Sequence, residues 1–357
     1  MSKKYNYISY LNVFSAVAVV MMHANSAFWS YNDKPYWGVT NVIENVCFCA
    51  VPIFFMLTGA TLMNYNERYT TKEFFKKRFF KTVIPFLFWS VFAMFWSSRK
   101  VLIAMANDEP NQKLGWTVES VAKGILNTKF MDIYWFFIPL FCIYLMIPVF
   151  AAIPKKRRIK IFTYIIFTSV VLNYTIPFIL GLLNHYTGFT LGWTYTMSAG
   201  LQYMIYPLIG YVLHNVELKT PHRLIIYALA LAGMLTLIIG TYNTTRKAGM
   251  LIGVYKGYYN LPVLLYATGV YLFIKKATER IKSERVNRIF AYFQSYTFPI
   301  YLIHRYFMQV LEDNLVYLHV EKASLLYVFG ATIISISLSI VTTYILRKIP
   351  VLRHVVP

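Results

Sequence analysis

Residues 7–29 read YISYLNVFSAVAVVMMHANSAFW, and this stretch decides the fold. No charged side chain interrupts it between Tyr7 and Met22, so it is long and apolar enough to cross a bilayer as one helix. Lys3 and Lys4 precede it, which predicts a cytoplasmic amino terminus. A cleaved signal peptide is the alternative for such a segment. Because many similar segments follow, we expect the first of a series of transmembrane helices.

Composition indicates a polytopic membrane protein. Of the 357 residues, 58% are hydrophobic and only 14% are charged, whereas a soluble domain carries about 25% charged residues. The bases behind the net charge of +21 cluster between apolar runs and do not follow one face, which argues against a nucleic-acid partner. The three cysteines have no metal-ligand spacing with histidine, so neither a disulfide framework nor a metal site is predicted.

The predicted fold class is an all-α integral membrane protein, a bundle of about ten transmembrane helices with both termini cytoplasmic. Residues 1–357 form a single domain in this prediction. Most of the 35 lysines and arginines fall in the segments that such a topology places inside the cell. The predicted spans cover approximately residues 7–29, 41–63, 82–96, 132–153, 161–180, 198–213, 224–240, 258–274, a ninth from 289 onward, and 323–346.

Two histidines are candidate catalytic residues. His23 lies roughly 24 Å of helix rise beyond Tyr7, in the outer half of a hydrocarbon layer about 30 Å thick. His304 lies similarly far into the ninth span, which runs in the same direction, so the two rings are expected at similar depth. Histidine can take a proton or act as a nucleophile near neutral pH. The alternative is that each ring is a structural partner inside a helix bundle.

Other polar residues accompany these histidines in the apolar spans. Asn12 shares a face of the first helix with His23, roughly 16 Å away along the axis. Arg305 requires a buried partner, an anionic ligand or the mouth of a cavity; the alternative is an arginine that snorkels to the interface. Glu44, in the second span, is the expected buried acid, which would orient His23 or pair with Arg305.

Several of these segments together resemble the membrane acyltransferase 3 family. The matching motifs are His23-Ala24, VPIFFMLTG in the second span, KKRFFKTVIPFLFW before the third, YWFFIPLFCIYLMIPV in the fourth and SYTFPIYLIH in the ninth. Members of that family are membrane enzymes that move an acyl group, commonly acetyl from acetyl-CoA, onto sugars of bacterial envelope polysaccharides. The resemblance implies that His23 is the catalytic histidine and that Arg78 is a functional arginine.

The resemblance also suggests a donor site. The family usually has arginine where this chain has Asn12, so Asn12 is expected to contact the thioester or pantetheine as a neutral group. Phosphate charge would be met by Lys76, Lys77, Arg78 or Lys81 in the cytoplasmic basic segment. Acetyl-CoA, or another acyl-CoA, is expected as a co-substrate, with no tightly bound cofactor.

An acceptor site is expected at the other membrane face. His23 would serve there as general base or acyl-carrying nucleophile, and His304 and Arg305 would orient the acceptor or stabilise the oxyanion. Near the outer start of the fourth span, Asp132, Tyr134 and Trp135 would form a sugar-facing rim, although aromatic belts are common at membrane interfaces.

The predicted function is transfer of an acyl group, acetyl in most relatives, from acyl-CoA to a hydroxyl of a cell-envelope or extracellular polysaccharide sugar. The protein would be a multi-pass protein of the bacterial plasma membrane, with a carbohydrate or lipid-linked sugar as acceptor. The competing prediction is a transporter or flippase of lipid-linked sugars, in which the same histidines line a passage.

Overall fold

The computed structural model describes residues 6–106, 114–194, 202–315 and 321–357. Every regular element in these ranges is helical, which confirms the all-α class. The α-helices, numbered in chain order, are α1 (Asn6–Ala24), α2 (Pro35–Cys47), α3 (Ala50–Leu62), α4 (Thr71–Arg78), α5 (Ile84–Ser97), α6 (Arg99–Ala106), α7 (Val118–Leu126), α8 (Phe137–Ala151), α9 (Lys155–Ser169), α10 (Ile176–Thr187), α11 (Ile205–Asn215), α12 (Thr220–Leu235), α13 (Thr241–Ala248), α14 (Leu261–Thr278), α15 (Glu284–Asp313) and α16 (Leu325–Lys348).

Seven helical stretches of the described chain are long and apolar enough to cross a membrane. They are Asn6–Ala24, Pro35–Glu67, Thr71–Ser97, Asp132–Ala151, Lys155–Thr187, Thr220–Ala248 and Leu325–Lys348. The protein is therefore a multi-pass membrane protein, but the described chain provides seven such stretches where the sequence predicts about ten.

The other three predicted spans correspond to helices with more charge or less length. Helix α11 has 11 residues, and the predicted start of this sixth span at Ser198 lies outside the described residues. Helix α14 has two lysines, Lys275 and Lys276, in its last turn. Helix α15 has 30 residues, and charged side chains stand near both of its ends. Length and charge therefore separate these helices from the seven apolar stretches.

Helix α1 lies inside the bundle, where it packs against α3, α14, α15 and α16. Most of its residues are buried, which suits a helix that is apolar on all sides. Two hydrogen bonds fix α15 beside it: the Ser9 hydroxyl donates to Gln294 Oε1 (2.6 Å), and the Tyr10 hydroxyl donates to Asn287 Oδ1 (3.0 Å). These contacts set the register in which His23 and His304 meet farther along the two helices.

Helices α3 and α11 approach each other closely through two glycines. A Cβ atom built on Gly59 would lie 1.9 Å from the Pro207 carbonyl oxygen, and one on Gly210 would lie 1.9 Å from the Met56 carbonyl oxygen. Only glycine fits at such a crossing, as is common between helices in membranes. Gly59 and Gly210 therefore form a close contact between α3 and α11.

In the described ranges, three membrane helices are interrupted by a π-helical turn, a feature that is often found at functional sites. The three turns span Phe79–Val83, Val170–Thr175 and Thr236–Gly240. The wide third turn accepts a side chain, since Asn41 Nδ2 donates to the Ile238 carbonyl oxygen (2.9 Å). The first turn directly follows Arg78 and the third directly precedes Thr241, and both of these residues line cavities.

Candidate active site

The two predicted catalytic histidines contact each other. Nδ1 of His23, near the end of α1, lies 3.0 Å from Nε2 of His304 in α15, and the two rings stack with centroids 5.1 Å apart. His304 is fully buried, whereas His23 lines a cavity. The contact confirms that the two rings lie at similar depth.

The backbone of α15 orients this pair. Nδ1 of His304 lies 2.8 Å from the Ile300 carbonyl oxygen, which only accepts hydrogen bonds, so this nitrogen carries the hydrogen. With both rings neutral, Nε2 of His304 is the acceptor and Nδ1 of His23 donates to it. Nε2 of His23 is then unprotonated and has no hydrogen-bond partner among the described residues. Such a nitrogen can take a proton or attack a carbonyl carbon.

The cavity beside His23, here called the His23 cavity, has a volume of about 430 Å³. Its walls come from the ends of α1, α2 and α13, the start of the fourth apolar stretch, and the segment between α13 and α14. The lining residues are Met22, His23, Trp29, Glu44, Phe48, Trp135, Thr241, Leu251, Ile252, Gly253, Lys256 and Tyr258. Small-molecule sites commonly combine such an aromatic and aliphatic lining with a few polar groups.

Glu44 lines this cavity but does not have either of its expected partners. Lys256 Nζ donates to Glu44 Oε1 at 2.6 Å, and Asn25 Nδ2 lies 3.4 Å from Glu44 Oε2. The predictions that Glu44 orients His23 or pairs with Arg305 are therefore wrong. Burial lowers the pKa of the Lys256 ammonium below its ordinary value, and the Glu44 carboxylate opposes that shift.

Arg305 has carboxylate partners outside the His23 cavity. Its Nη1 donates to Glu312 Oε1 at 3.1 Å, and its Nε lies 4.0 Å from Asp132 Oδ1. The Asp132 side chain is exposed. Arg305 thus has the carboxylate partner that its position in an apolar span predicts. Arg305, Glu312 and Asp132 are not among the residues that line the His23 cavity.

The two aromatic residues of the expected sugar-facing rim lie in different surroundings. Trp135 lines the His23 cavity and stacks on Tyr258 at 5.2 Å between ring centroids. Tyr134 is buried, and its hydroxyl donates to the Leu302 carbonyl oxygen (2.9 Å) and contacts the Tyr306 hydroxyl (3.0 Å). Tyr134 therefore holds α15 in place, and the prediction that it faces a sugar is wrong.

A second cavity, here called the Arg78 cavity, also has a volume of about 430 Å³. It lies toward the other end of α1 and contains three of the predicted donor-binding residues, Asn12, Arg78 and Lys81. The lining residues are Ile8, Asn12, Val19, Val51, Phe54, Leu57, Thr58, Thr61, Leu62, Arg78, Lys81, Thr82, Phe136, Leu140, Tyr144, Gln294, Thr297, Phe298, Tyr301 and Pro357.

Two bases near the start of the third apolar stretch line this cavity. Arg78 ends α4 and Lys81 lies in the π-helical turn that follows, and a spacing of three residues places two side chains on the same side of a helix. Arg78 Nε is buried without a hydrogen-bond partner among the described residues, and its guanidinium carbon lies 5.7 Å from the centroid of the Tyr144 ring. An unpaired donor of this kind suits an anionic ligand.

The remaining donor candidates differ in position. Lys76 and Lys77 are exposed on α4 and do not line the Arg78 cavity, and Lys77 Nζ instead lies 3.7 Å from the centroid of the Tyr69 ring. One N–H of Asn12 is already donated to the Ile8 carbonyl oxygen (2.9 Å). The Asn12 carboxamide keeps its oxygen and its second N–H for a ligand.

Comparison with protein families identifies the class. A family model described as an acyltransferase domain matches residues 5–344, almost the whole chain. The chain belongs to the membrane acyltransferase 3 family. No curated protein and no solved structure gives a significant match.

The two cavities of this acyltransferase are separated by a thin layer of side chains. Helix α1 contributes Val19 to the Arg78 cavity and His23 to the His23 cavity, about one helical turn apart. The neighbouring residues Phe136 and Trp135 likewise line one cavity each.

Sequence reasoning assigned no role to two cavity residues of the acyltransferase, Lys256 and Thr241. Lys256 is one of several bases in a loop, and only its isolation among Tyr255, Gly257 and Tyr258 distinguishes it in the sequence. Thr241 has no distinguishing signal, because its place in the cavity depends on the π-helical turn before it.

Proposed function

We propose that this membrane acyltransferase moves an acetyl group from acetyl-CoA to a sugar hydroxyl of a bacterial cell-envelope polysaccharide. The observation that carries the proposal is the chain of contacts from the Ile300 carbonyl through His304 to His23, which leaves Nε2 of His23 unprotonated at a cavity wall. A nitrogen held in this way is suited to remove the proton of an attacking hydroxyl.

The donor side of the proposal rests on the Arg78 cavity. Arg78 and Lys81 offer positive charge to the phosphates of CoA, and Asn12 offers a neutral carboxamide along the same wall. The pantetheine arm is long enough to follow α1 over the roughly 16 Å of helix rise between Asn12 and His23. In this proposal the Arg78 cavity opens to the cytoplasm, and the acyl thioester lies toward His23.

The acceptor side rests on the His23 cavity, which the proposal places toward the outer face. Its aromatic lining suits the apolar face of a sugar ring, and its few polar groups suit the hydroxyl edge. The hydroxyl loses its proton to Nε2 of His23, and its oxygen forms the new ester bond to the thioester carbonyl carbon. The C–S bond then breaks, and the sulfur of CoA leaves with the proton held by His23. His304 acts as a positioning residue, because it contacts His23 and lines neither cavity.

To test this proposal, purified protein in detergent is incubated with labelled acetyl-CoA and an envelope polysaccharide extract, and the free CoA and the labelled polysaccharide are measured. The proposal expects release of free CoA together with transfer of the label to polysaccharide. Movement of a lipid-linked sugar across vesicles without any CoA release would contradict it, and would favour the transporter alternative.

A further inference from the structure

The His23 cavity contains a buried pair of opposite charges that the transfer step does not use. The side chains of Lys256 and Glu44 are only 6% and 1% exposed, and they are joined by the 2.6 Å contact described above. The ammonium also lies 4.4 Å from the Phe28 ring centroid, 4.3 Å from that of Trp29 and 4.5 Å from that of Phe48. One carboxylate and three ring faces therefore hold the Lys256 head group in one place.

The segment that carries Lys256 forms much of the cavity wall. Leu251, Ile252, Gly253 and Tyr258 line the cavity with it, and all of them belong to the segment between α13 and α14. Because the Lys256 side chain pairs with Glu44 of α2, it holds this wall of the cavity against α2. The cavity beside His23 is thus preorganised around a charge pair.

A second observation points to a ligand at the same place. Thr241 is fully buried and lines the cavity, and its hydroxyl has no hydrogen-bond partner among the described residues. A buried hydroxyl that lacks a partner destabilises the folded protein. A ligand with its own hydroxyl groups would supply that partner.

The rest of the wall has the chemistry of a sugar site. Trp29, Trp135 and Tyr258 offer flat apolar faces, and Trp135 and Tyr258 are already stacked on each other. The carboxylate of Glu44 accepts hydrogen bonds and the ammonium of Lys256 donates them, side by side. Two neighbouring hydroxyls of one sugar ring could engage both groups at once.

We propose that the Glu44–Lys256 pair recognises the acceptor by binding the hydroxyls of an uncharged sugar, and that it disfavours uronic acids and other anionic sugars. This inference rests on the acyl-transfer function proposed above. The two charges cancel each other, so a neutral ligand completes the site without adding a charge. A sugar carboxylate would lie beside the Glu44 carboxylate, and the cation there is already paired.

The test measures the affinity of the purified full-length protein for two probes, methyl N-acetyl-β-glucosaminide and methyl β-glucuronide. Quenching of tryptophan fluorescence reports binding, because Trp29 and Trp135 line the site. We expect the wild type to bind the neutral glycoside about tenfold more tightly or better, since like charges placed together cost several kcal/mol. Failure of both probes to bind, or equal affinity for the two, would overturn the proposal.

Two variants should shift this preference in opposite directions. Glu44→Gln leaves the Lys256 charge uncompensated and should move the affinity ratio at least about tenfold toward the glucuronide. Lys256→Met leaves the Glu44 charge uncompensated and should move the ratio the other way. An unchanged ratio in folded variants would contradict a recognition role.

A double variant keeps the test usable if a lone buried charge prevents folding. Glu44→Gln with Lys256→Met removes both charges together, and such a replacement is often tolerated. It should bind the neutral glycoside about tenfold more weakly, because two hydrogen-bonding groups are lost or weakened. Undiminished binding would overturn the proposal. CoA release by the wild type tests the underlying acyl transfer separately.

Discussion

At the scale of single residues, the chemistry of the protein depends on which nitrogen of His23 carries a hydrogen. A carbonyl oxygen that can only accept sets the tautomer of His304, and His304 in turn sets that of His23. His304 is fully buried and touches no cavity, so it acts through His23.

Replacing His304 should therefore separate turnover from binding. His304→Ala removes the acceptor for Nδ1–H of His23, and we expect kcat to fall about 10²-fold with little change in either KM. His304→Gln offers a carbonyl oxygen in place of Nε2 and should retain more activity than His304→Ala. Equal loss in both variants, or a loss confined to KM, would contradict the positioning role.

The sequence could predict the meeting of the two histidines but not the ion pairs around them. His23 and His304 lie at matching distances along two helices that run in the same direction, so their similar depth follows from helix geometry. The partner of Glu44 is Lys256, 212 positions away, and it stands on a segment without helical periodicity. Its path is set by packing, which no local pattern encodes.

At the scale of elements, irregular helix geometry places the functional groups. The π-helical turn Phe79–Val83 follows Arg78 and contains Lys81, and both bases line the same cavity. A sequence pattern predicts the helix and its basic cluster. The wide turn has no comparable signal, so the local pattern does not separate Arg78 from its exposed neighbours Lys76 and Lys77. Only the family resemblance distinguishes Arg78.

This difference gives a matched pair of variants on one helix. Arg78→Ala removes a guanidinium from the cavity wall and should raise the KM for acetyl-CoA about tenfold or more, since hydrogen bonds to charged groups contribute about 1.5–3 kcal/mol. Lys76→Ala removes the same charge from an exposed site outside the cavity and should leave that KM within about twofold, as screened surface charges contribute little. Equal effects of the two substitutions would argue against the Arg78 cavity as the donor site.

The close contact of α3 and α11 at Gly59 predicts that a substitution there lowers the stability of the protein without changing a charged group of either cavity. Gly59→Ala would place a methyl group against the Pro207 carbonyl oxygen and should destabilise the protein by about 1–3 kcal/mol, measured as a lower unfolding temperature in detergent. Gly330→Ala in α16 is the control, because its Cβ would meet no atom within 4 Å. Matching unfolding temperatures for the two variants would contradict the close approach of α3 and α11.

At the scale of the whole molecule, the two cavities lie at opposite ends of α1 and nearly meet beside His23. Composition predicts the membrane and the basic clusters predict the orientation, since both are properties of long stretches. The sequence predicts about ten spans, whereas seven stretches of the described chain meet the criteria of length and apolarity. The other three predicted spans correspond to α11, α14 and α15, which are short or charged and which pack against neighbouring helices.

The proposed orientation can be tested with single cysteines in a background whose native cysteines are replaced by alanine. Ser30→Cys lies close to the His23 end of α1, and Lys156→Cys lies in the basic run that starts α9; both positions are exposed. We expect an impermeant maleimide to label Ser30→Cys in intact cells and Lys156→Cys only after permeabilisation. The reverse pattern would invert the assignment of donor and acceptor cavities.

The measurement that tests the central claim most directly is the rate of acetyl-CoA turnover in wild type and His23→Ala, with an envelope polysaccharide acceptor present. Both proteins must first show the same unfolding temperature in detergent. We expect His23→Ala to lose at least about 10²-fold in CoA release and acetyl transfer, because the substitution removes the nitrogen that takes the hydroxyl proton. Turnover at the wild-type rate in folded His23→Ala would contradict the assignment of His23 as the catalytic residue.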